Sequence, residues 1–408
     1  MRIPWLTLLA GLCLAVVAMA QEPLWMQAYS YDVPGEAEYY EALAEAFENA
    51  PSGGPLRITL EGWDIAHDQI AAWFEQGEGP DLVVVPDIWL VEFADHIEPF
   101  DPYVDPRLKA DFFDVLYSKG VYNGKLLGLV WATSTKALFY RTDLFRDAGL
   151  EPPRTWAEQL SAAVALNDPP NVYGLGLPGA REYETDDNLF FYFWSAGGRF
   201  FDEHGKCTIN SEAGVKALQF YCDLVNKYHV TQSEVTTWNR KQTRRLFEAG
   251  RLAMFATGPW GVEQLRKNAP DIEFGVVPLP VDKEPVTQVI TDHLVLAKHS
   301  PRKALAAKFV AFAYQDEHRL AFAKLGLLPE KTTVAADDHF QKDPCWKVFV
   351  DVIPYGRPIP LIEWEPVGIA IREAMYQALS GRKTPQEALD ALAAEIDGIT
   401  AGQSHGDG

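Results

Sequence analysis

Residues 79–85 read Gly-Pro-Asp-Leu-Val-Val-Val, a turn signal followed by an apolar run. Such a run is typical of a strand that is buried on both faces of a parallel sheet. Upstream, residues 24–29 and 57–61 have strand character, and residues 36–49 place apolar side chains at i, i+3 and i+7, as on one helix face. A second helix is predicted around Ile70, before the run. This order of strand, helix, strand, helix and strand predicts an α/β lobe.

The later part of the chain predicts a second lobe. Capping-box patterns at residues 155–158 and 384–387 mark two helix starts, and the middle of the chain is largely helical. Strand-like segments return at residues 274–278 and 289–297. Short strands both before and after a helical centre predict two lobes between which the chain crosses more than once.

The composition describes an acidic globular protein. The 408 residues include 36 Lys+Arg and 57 Asp+Glu, which gives a formal net charge of −21, and 48% of the residues are hydrophobic. This hydrophobic content is too high for a disordered chain. The acidity argues against binding to nucleic acid or to an anionic membrane surface, because both need a basic face.

The first twenty residues resemble a secretory signal. Arg2 is followed by an apolar run and by Ala18-Met19-Ala20, which predicts a cleaved signal peptide over residues 1–20 with cleavage after Ala20. Cys13 follows Leu12 rather than a small residue, so it is not a convincing lipoprotein site. We therefore expect a soluble mature chain in the periplasm or secreted from the cell.

The predicted mature chain keeps an odd number of cysteines, Cys207, Cys222 and Cys345. A disulfide between Cys207 and Cys222 and a set of buried, unpaired thiols are both compatible with export, and the sequence leaves the two open.

The sequence offers no convincing catalytic motif. The chain has no H-E-x-x-H pattern and no P-loop pattern. Asp64, His67 and Asp68 lie close together, but a solvated helix face explains them better than a metal site. The carboxylate pair of a glycosidase can be neither excluded nor located in so acidic a chain. We therefore predict no catalytic residues, no metal and no cofactor.

Tryptophan and tyrosine residues recur beside short polar residues where strands and loops are predicted to end. Sugars stack their C–H faces on aromatic rings and offer hydroxyls to carboxylates, amides and arginine. For any single ring, a half-buried core position is the simpler interpretation. As a set, the pattern indicates a carbohydrate site. Examples are residues 29–32, 63–64, 87–89, 131–134, 183–184 and 258–260.

Landmarks along the mature chain resemble the extracellular solute-binding proteins of ABC importers, in particular the family that includes maltose- and trehalose-binding proteins. They occur in the order of that family. The landmarks are residues 79–84 (GPDLVV), 124–128 (GKLLG), 137–145 (ALFYRTDLF), 153–158 (PRTWAE), 194–198 (WSAGG), 250–255 (GRLAMF) with 258–260 (GPW), and 277–280 (VPLP).

The resemblance implies an α/β fold of the periplasmic-binding-protein type, a two-lobe clamshell of the maltose-binding kind that closes on one solute by a hinge motion. It implies a monomer that serves the transmembrane subunits of an ABC permease. We expect lobe 1 to comprise residues 21–132 and 278–327, lobe 2 to comprise residues 133–277 and 328–400, and a disordered tail at 401–408.

The resemblance also implies solute contacts. In lobe 1 they fall on Tyr31, Glu36, Trp63, Asp64, Asp87 and Trp89. In the rest of the chain Trp131 and Trp260 match stacking rings, Tyr183 and Glu184 match a pair that holds a glucose hydroxyl, and Arg357 matches a late arginine with Trp364 beside it. Two departures are visible: Pro86 shifts Asp87 by one place, and Thr291-Asp292-His293 stands where the family has a glycine pair before the strand at Leu294, so the side chains of Asp292 and His293 replace backbone at the cleft.

Three functions remain open from the sequence. The leading one is a binding protein for a sugar, most simply a di- or oligosaccharide. The alternatives are an exported glycoside hydrolase and a binding protein for a polyol or a glycerophosphodiester. The acidic site candidates argue against an anionic solute, because Arg357 is the only evident counter-charge.

Overall fold

The computed structural model describes residues 22–182 and 185–401. The predicted signal peptide, the Tyr183-Glu184 pair and all but the first residue of the predicted tail lie outside the described residues.

Strands and helices alternate over most of this length. The strands are β1 Leu24–Tyr29, β2 Leu56–Glu61, β3 Leu82–Pro86, β4 Ile97–Glu98, β5 Val121–Tyr122, β6 Lys125–Leu126, β7 Gly128–Ser134, β8 Ala137–Arg141, β9 Met254–Thr257, β10 Phe274–Val277, β11 Thr287–Gln288, β12 Ile290–Ala297 and β13 Gly356–Arg357. The helices are α1 Glu36–Asn49, α2 Ala66–Gln76, α3 Asp114–Ser118, α4 Thr142–Ala148, α5 Trp156–Ala165, α6 Asp187–Ser195, α7 Glu212–Asn226, α8 Arg240–Glu248, α9 Trp260–Asn268, α10 Lys303–Ala313, α11 Asp316–Ala323, α12 Thr332–Ala335, α13 Asp338–Lys342, α14 Pro344–Asp351, α15 Trp364–Leu379 and α16 Pro385–Ile399.

The first lobe is built on a six-stranded sheet with the order β2-β1-β3-β12-β4, in which β7 also pairs with β12. Strands β2, β1 and β3 are parallel, and β12 runs antiparallel to β3. The apolar run of β3 is buried at the centre of this sheet, which confirms the strand predicted at residues 81–85. Because β1, β2 and β3 are parallel, the segments that follow them lie at one edge of the sheet.

Helix α1 covers this sheet with the apolar face that its periodicity predicts. Tyr40, Leu43 and Phe47 are buried, and Phe47 meets Phe309 of α10 with ring centroids 5.3 Å apart. The helix begins at Glu36 and ends at Asn49, as the sequence predicts.

The second lobe is built on a three-stranded sheet with the order β10-β8-β9 and a helical layer. Phe190, Tyr221 and Ile371, on α6, α7 and α15, belong to its buried core. Both predicted capping boxes are present: Thr155 and Thr384 each accept from the backbone N–H of the Glu at the third helical position.

The two sheets are joined by crossing segments, and the chain therefore has the predicted two-lobe α/β fold. Residues 135–136 lead from β7 in the first sheet to β8 in the second. Beside them, the Thr287 hydroxyl lies 2.8 Å from both the N–H and the carbonyl oxygen of Lys136. The Leu328 N–H donates to the Thr133 carbonyl at 3.3 Å, where the chain returns a third time. The residue limits of the lobes stay a prediction.

The cysteines do not form the bridge that the sequence left open. Cys207, Cys222 and Cys345 are free and buried. Burial raises the pKa of the Cys222 thiol to about 12, so it remains protonated near neutral pH. As for membrane spans, a search of residues 22–182 and 185–401 finds no helix with the length and apolar character to cross a bilayer.

Candidate ligand-binding site

Three of the expected aromatic residues meet at the edge of the first sheet. Tyr31 follows β1, Trp63 opens a 3-10 turn after β2, and Trp89 ends a 3-10 turn after β3. The ring centroids of Tyr31 and Trp63 are 6.0 Å apart, and those of Trp63 and Trp89 are 6.3 Å apart. All three rings are half-buried. We call these three residues the aromatic rim.

Glu36 orients the rim rather than facing a solute. It is only 3% exposed, and its carboxylate accepts from the Ser30 hydroxyl at 2.7 Å and from the Tyr31 N–H at 3.0 Å. Burial raises the pKa of Glu36, although these hydrogen bonds oppose the rise. The expected solute contact at Glu36 is therefore corrected to a contact with the loop that carries Tyr31. Asp64, in contrast, is exposed beside the rim.

Asp87 is buried in an ion pair that the sequence did not reveal. Its carboxylate lies 3.0 Å from the Lys119 ammonium, and the two side chains are 5% and 3% exposed. The Thr291 hydroxyl donates to the same carboxylate at 3.2 Å. Lys119 also donates to the carbonyl oxygen of Ile359 at 2.9 Å. Both partners meet the same carboxylate oxygen, and the solute contact expected at Asp87 stays a prediction.

Asp292 occupies the position that remains open beside this pair. It is half-buried and faces the hydroxyl of Tyr31, a buried group that makes no hydrogen bond of normal geometry within the described residues. Burial raises the pKa of Asp292 to about 7; the Tyr31 hydroxyl opposes the rise and the nearby Asp87 charge adds to it. Near neutral pH, Asp292 can therefore both donate a hydrogen bond and accept one.

His293 lies inside the sheet, not at the cleft. It is completely buried, and burial, with a smaller contribution from Lys119, lowers its pKa to about 3. Its Cβ sits so close to β7 that a Cβ added at Gly128 would come within 2.7 Å of it. The expectation of a solute contact at His293 is therefore wrong, and the residue is a neutral core histidine.

Two expected stacking rings also belong to the core. Trp131 has no exposed surface, and its indole N–H donates to the Tyr40 hydroxyl at 2.9 Å. Trp364 is 4% exposed and meets Phe200 edge-on, with centroids 5.5 Å apart. Neither ring has a free face for a sugar. Both expectations are corrected: the two residues stabilise the lobes from inside.

Trp260 begins α9 in the second lobe and is half-buried. Its ring folds over Gly258, where an added Cβ would lie 2.4 Å from the indole. This close approach explains the glycine in the Gly-Pro-Trp motif. The Lys136 ammonium lies 4.7 Å from the ring centroid, and the Arg240 guanidinium lies 5.0 Å from it. Trp260 is therefore a ring with cations close to it, rather than a purely apolar platform.

Lys136 belongs to a polar group that the sequence analysis missed. Its ammonium is 3.4 Å from the Asp187 carboxylate, whose other oxygen accepts from the Gln288 amide at 2.8 Å. A single signal was available: Lys136 is a charged residue in the short segment between the predicted crossing strand and the apolar run that begins at Ala137.

Arg357 is already bonded to protein. Its guanidinium donates to Glu284 at 2.7 Å, and Arg199 donates to the other oxygen of that carboxylate at 3.0 Å. Burial would raise the pKa of Glu284, but the two arginines outweigh it and hold the pKa below its usual value. Arg357 therefore has only its remaining N–H groups with which to donate the expected pair of hydrogen bonds to a solute.

Two points complete the site. Tyr183 and Glu184, the pair expected to hold a sugar hydroxyl, lie outside the described residues. Over the part of the chain that the structure describes, no group of three or more His, Cys, Asp or Glu side chains could hold a metal ion.

Known proteins resemble the chain over most of its length. A Brucella abortus (strain 2308) protein, described only as a binding protein, is 28% identical over 402 residues, covering 96% of this chain and 97% of that protein. The arabinooligosaccharide-binding protein of Bacillus subtilis (strain 168) is 27% identical over 365 residues, covering 81% and 82%. The maltose-bound structure of T. maritima MalE3 matches with a TM-score of 0.80 at 26% identity, covering 92% of this chain and 99% of that chain. The maltose-binding type of two-lobe fold is thereby confirmed.

The family itself follows from a family model. The model described as bacterial extracellular solute-binding protein matches residues 33–319, which is well over half of the chain. This match confirms the resemblance on which the expected site rests. The chain belongs to the bacterial extracellular solute-binding protein family.

Proposed function

We propose that this chain is the solute-binding component of an ABC importer. It binds a sugar, in the first place a di- or oligosaccharide, between its two lobes and delivers it to the transmembrane subunits of a permease. The chain acts as a monomer and without a cofactor.

The observation that carries the proposal is the aromatic rim with Asp292 beside it. Half-buried rings of Tyr31 and Trp63 offer apolar faces for the C–H side of a sugar. Asp292 offers a carboxyl for its hydroxyls, next to the strand β7 that crosses to the second lobe. Aromatic faces next to a few convergent polar groups are what a buried saccharide needs.

Similar proteins support the same class of solute. The Bacillus subtilis relative is named for arabinooligosaccharide, and the T. maritima structure contains maltose. Both are saccharides, but they differ in sugar and size, so the resemblance supports the class rather than one compound.

The carboxyl groups near the aromatic rim do not support the alternative function, a glycoside hydrolase. A retaining or inverting glycosidase needs two carboxyl groups that both reach the glycosidic bond. Asp87 is buried and ion-paired with Lys119, which makes it a poor acid or nucleophile for this reaction. Binding without turnover is therefore the better fit to this geometry.

The matching family is described as extracellular, and we therefore include export of this chain in the proposal. Residues 1–20 act as the signal peptide, with cleavage after Ala20. The lobes follow the limits 21–132 with 278–327, and 133–277 with 328–400.

The test is a thermal-shift screen of the mature chain against mono-, di- and oligosaccharides, polyols and glycerophosphodiesters, with product analysis on every hit. A solute that binds only the native state adds about 2.7 kcal/mol of stability at a hundredfold excess over Kd. We expect a saccharide to shift the transition and to be recovered intact. A hit that is consumed would support the hydrolase, and a shift by polyols or diesters alone would contradict a saccharide solute.

A further inference from the structure

Two helices that flank β9 in the chain carry a charge opposite to that of the whole protein. Helices α8 and α9 together contain six Lys or Arg residues and two Glu residues. The whole chain, in contrast, has a formal net charge of −21. Positive charge is therefore concentrated on these two helices, and the net charge of the chain does not describe this part of its surface.

Contacts between side chains place α8 and α9 beside each other. Along each helix the contacting residues are four apart, so they form a single row on its surface. The residue numbers rise together on the two helices, which therefore run in the same direction. The contacts are Arg240 with the Trp260 ring, Arg244 with Gln264, and Glu248 with Asn268.

Three cations point outward on one side of this helix pair. On α8, one step past the contact row leads to Lys241 and Arg245, and on α9, one step before it leads to Lys267. Successive residues are about 100° apart around a helix, so these opposite steps on helices of the same direction lead to the same side. All three residues are exposed, and none forms an ion pair with another described residue. We call Lys241, Arg245 and Lys267 the basic face.

The carboxylates of these two helices do not neutralise the basic face, because they already have partners. Glu248 lies 3.3 Å from the Arg244 guanidinium, and Glu263 lies 2.8 Å from that of Arg266. Glu182 accepts a hydrogen bond at 2.8 Å from the residue before α8, beyond the N-terminal end of the face. The basic face itself therefore keeps its positive charge.

The basic face also lacks an exposed large apolar side chain. Protein interfaces usually have an apolar or aromatic centre that is depleted in charge. An anionic lipid surface, in contrast, attracts each Lys or Arg that comes close to it and needs no apolar contact. The face therefore fits lipid phosphates better than it fits another protein. Over residues 22–182 and 185–401, the exposed large apolar side chains lie elsewhere, at Ile65, Val164, Tyr228, Tyr355 and Ile369.

We propose that the basic face docks this chain reversibly on the anionic headgroups of a lipid membrane. The inference goes beyond the proposed function, because it concerns no solute. The net charge of −21 argues against such a surface only if the whole chain is felt at once. Charges more than about 10 Å from the headgroups are largely screened at 0.1 M salt, so the basic face dominates when it is in contact. The acidic remainder of the surface is repelled, and the chain docks in one orientation.

The test is cosedimentation of the mature chain with lipid vesicles. The probes are vesicles of phosphatidylcholine alone and vesicles of phosphatidylcholine and phosphatidylglycerol in equal parts. At about 0.1 M salt, we expect the chain to bind the anionic vesicles about tenfold or more tightly than the neutral ones. At about 0.5 M salt the preference should disappear, because the added ions screen the three cations.

Variants locate the contact on the protein. A triple variant that removes the basic face should bring the affinities for the two kinds of vesicle to within about threefold of each other. Each single variant should lose about fivefold, and the single variants replace the triple one if it folds poorly. The matched control removes three exposed lysines elsewhere, changes the net charge equally and should keep the preference. The triple variant is Lys241→Gln, Arg245→Gln and Lys267→Gln, and the control is Lys125→Gln, Lys206→Gln and Lys308→Gln.

Three results would overturn the inference. Equal binding to the two kinds of vesicle, or an anionic preference that salt does not weaken, would contradict electrostatic docking. A preference that survives in the triple variant would place the contact on another surface. Binding of a polyglutamate peptide without binding of anionic vesicles would assign the basic face to an acidic protein. Each result leaves the proposed function intact, because saccharide binding is measured without vesicles.

Discussion

Two buried charges of the molecule are held in different ways. Beside the aromatic rim of the first lobe, the Asp87 carboxylate has Lys119 at 3.0 Å and the Thr291 hydroxyl at 3.2 Å as partners. In the segment that crosses between the lobes, Lys136 pairs with Asp187 at 3.4 Å and makes no hydrogen bond within the described residues. The comparison shows that protein groups hold the first charge closely and the second more loosely.

The largest expected effect is a loss of stability when the ion pair between Asp87 and Lys119 is broken. Lys119→Met leaves Asp87 buried without its counter-charge, and we expect a loss of about 3–5 kcal/mol in the free energy of unfolding. Urea denaturation measures this loss. The double variant with Asp87→Asn should recover a large part of it, because no charge then remains buried. A loss below about 1 kcal/mol in Lys119→Met would show that the ion pair does not support the first lobe.

The next-largest effect is on saccharide affinity, and it distinguishes a ring of the aromatic rim from a ring of the core. Trp63→Ala removes a half-buried ring, and we expect saccharide affinity to fall by about 1–3 kcal/mol with little change in unfolding. Trp131→Ala, its matched control, removes a fully buried ring and should cost about 3–5 kcal/mol of stability. Calorimetry and denaturation on both variants give the comparison. If Trp63→Ala binds as the unmodified chain does, the rim is not part of the site.

A smaller effect concerns pH and the carboxyl beside the rim. The pKa of Asp292 is raised to about 7, so the folded chain holds this proton more tightly than the unfolded chain does. Its contribution to stability is present below the usual aspartate pKa and is lost as the pH rises towards 7. Because the side chain is only half-buried, we expect a fall of about 1–2 kcal/mol over this range.

Asp292→Asn should remove that fall when unfolding is measured from pH 4.5 to pH 8. Asp186, whose pKa is also raised to about 7, mainly by burial, stays in both proteins and cancels in the comparison. Identical pH profiles in the two proteins would show that Asp292 is ionised throughout. The groups that face Asp292 are Tyr31 and Asp87, and Lys119 holds the latter.

Local sequence patterns predicted the fold closely. The bounds of α1, both predicted capping boxes and the buried run of β3 depend on residues near each other in the chain, so periodicity and spacing reveal them. The crossing between lobes was expected from strands that return late in the chain, although its residue limits stay a prediction.

The site was predicted only in part, because it depends on contacts between distant residues. Tyr31, Trp63 and Trp89 come together since parallel strands bring their ends to one edge. Trp131 shows the same sequence signal of an aromatic residue beside polar ones, yet it lies in the core. No local pattern distinguishes the two cases.

Charge pairing was the least predictable feature. Lys119 lies 32 residues from Asp87 along the chain, and no local sequence pattern predicts their ion pair. Lys136 was overlooked for a similar reason: its importance lies in what surrounds it, namely Trp260 and Asp187, which are far away in sequence. The burial of a charged side chain and the groups that contact it can be read only from the three-dimensional structure.

The most direct measurement is a crystal structure of the mature chain with the tightest-binding saccharide of the thermal-shift screen. The account predicts one saccharide between the lobes, in contact with the Trp63 ring of the first lobe and with the Trp260 ring of the second. A saccharide that contacts one lobe alone would contradict it.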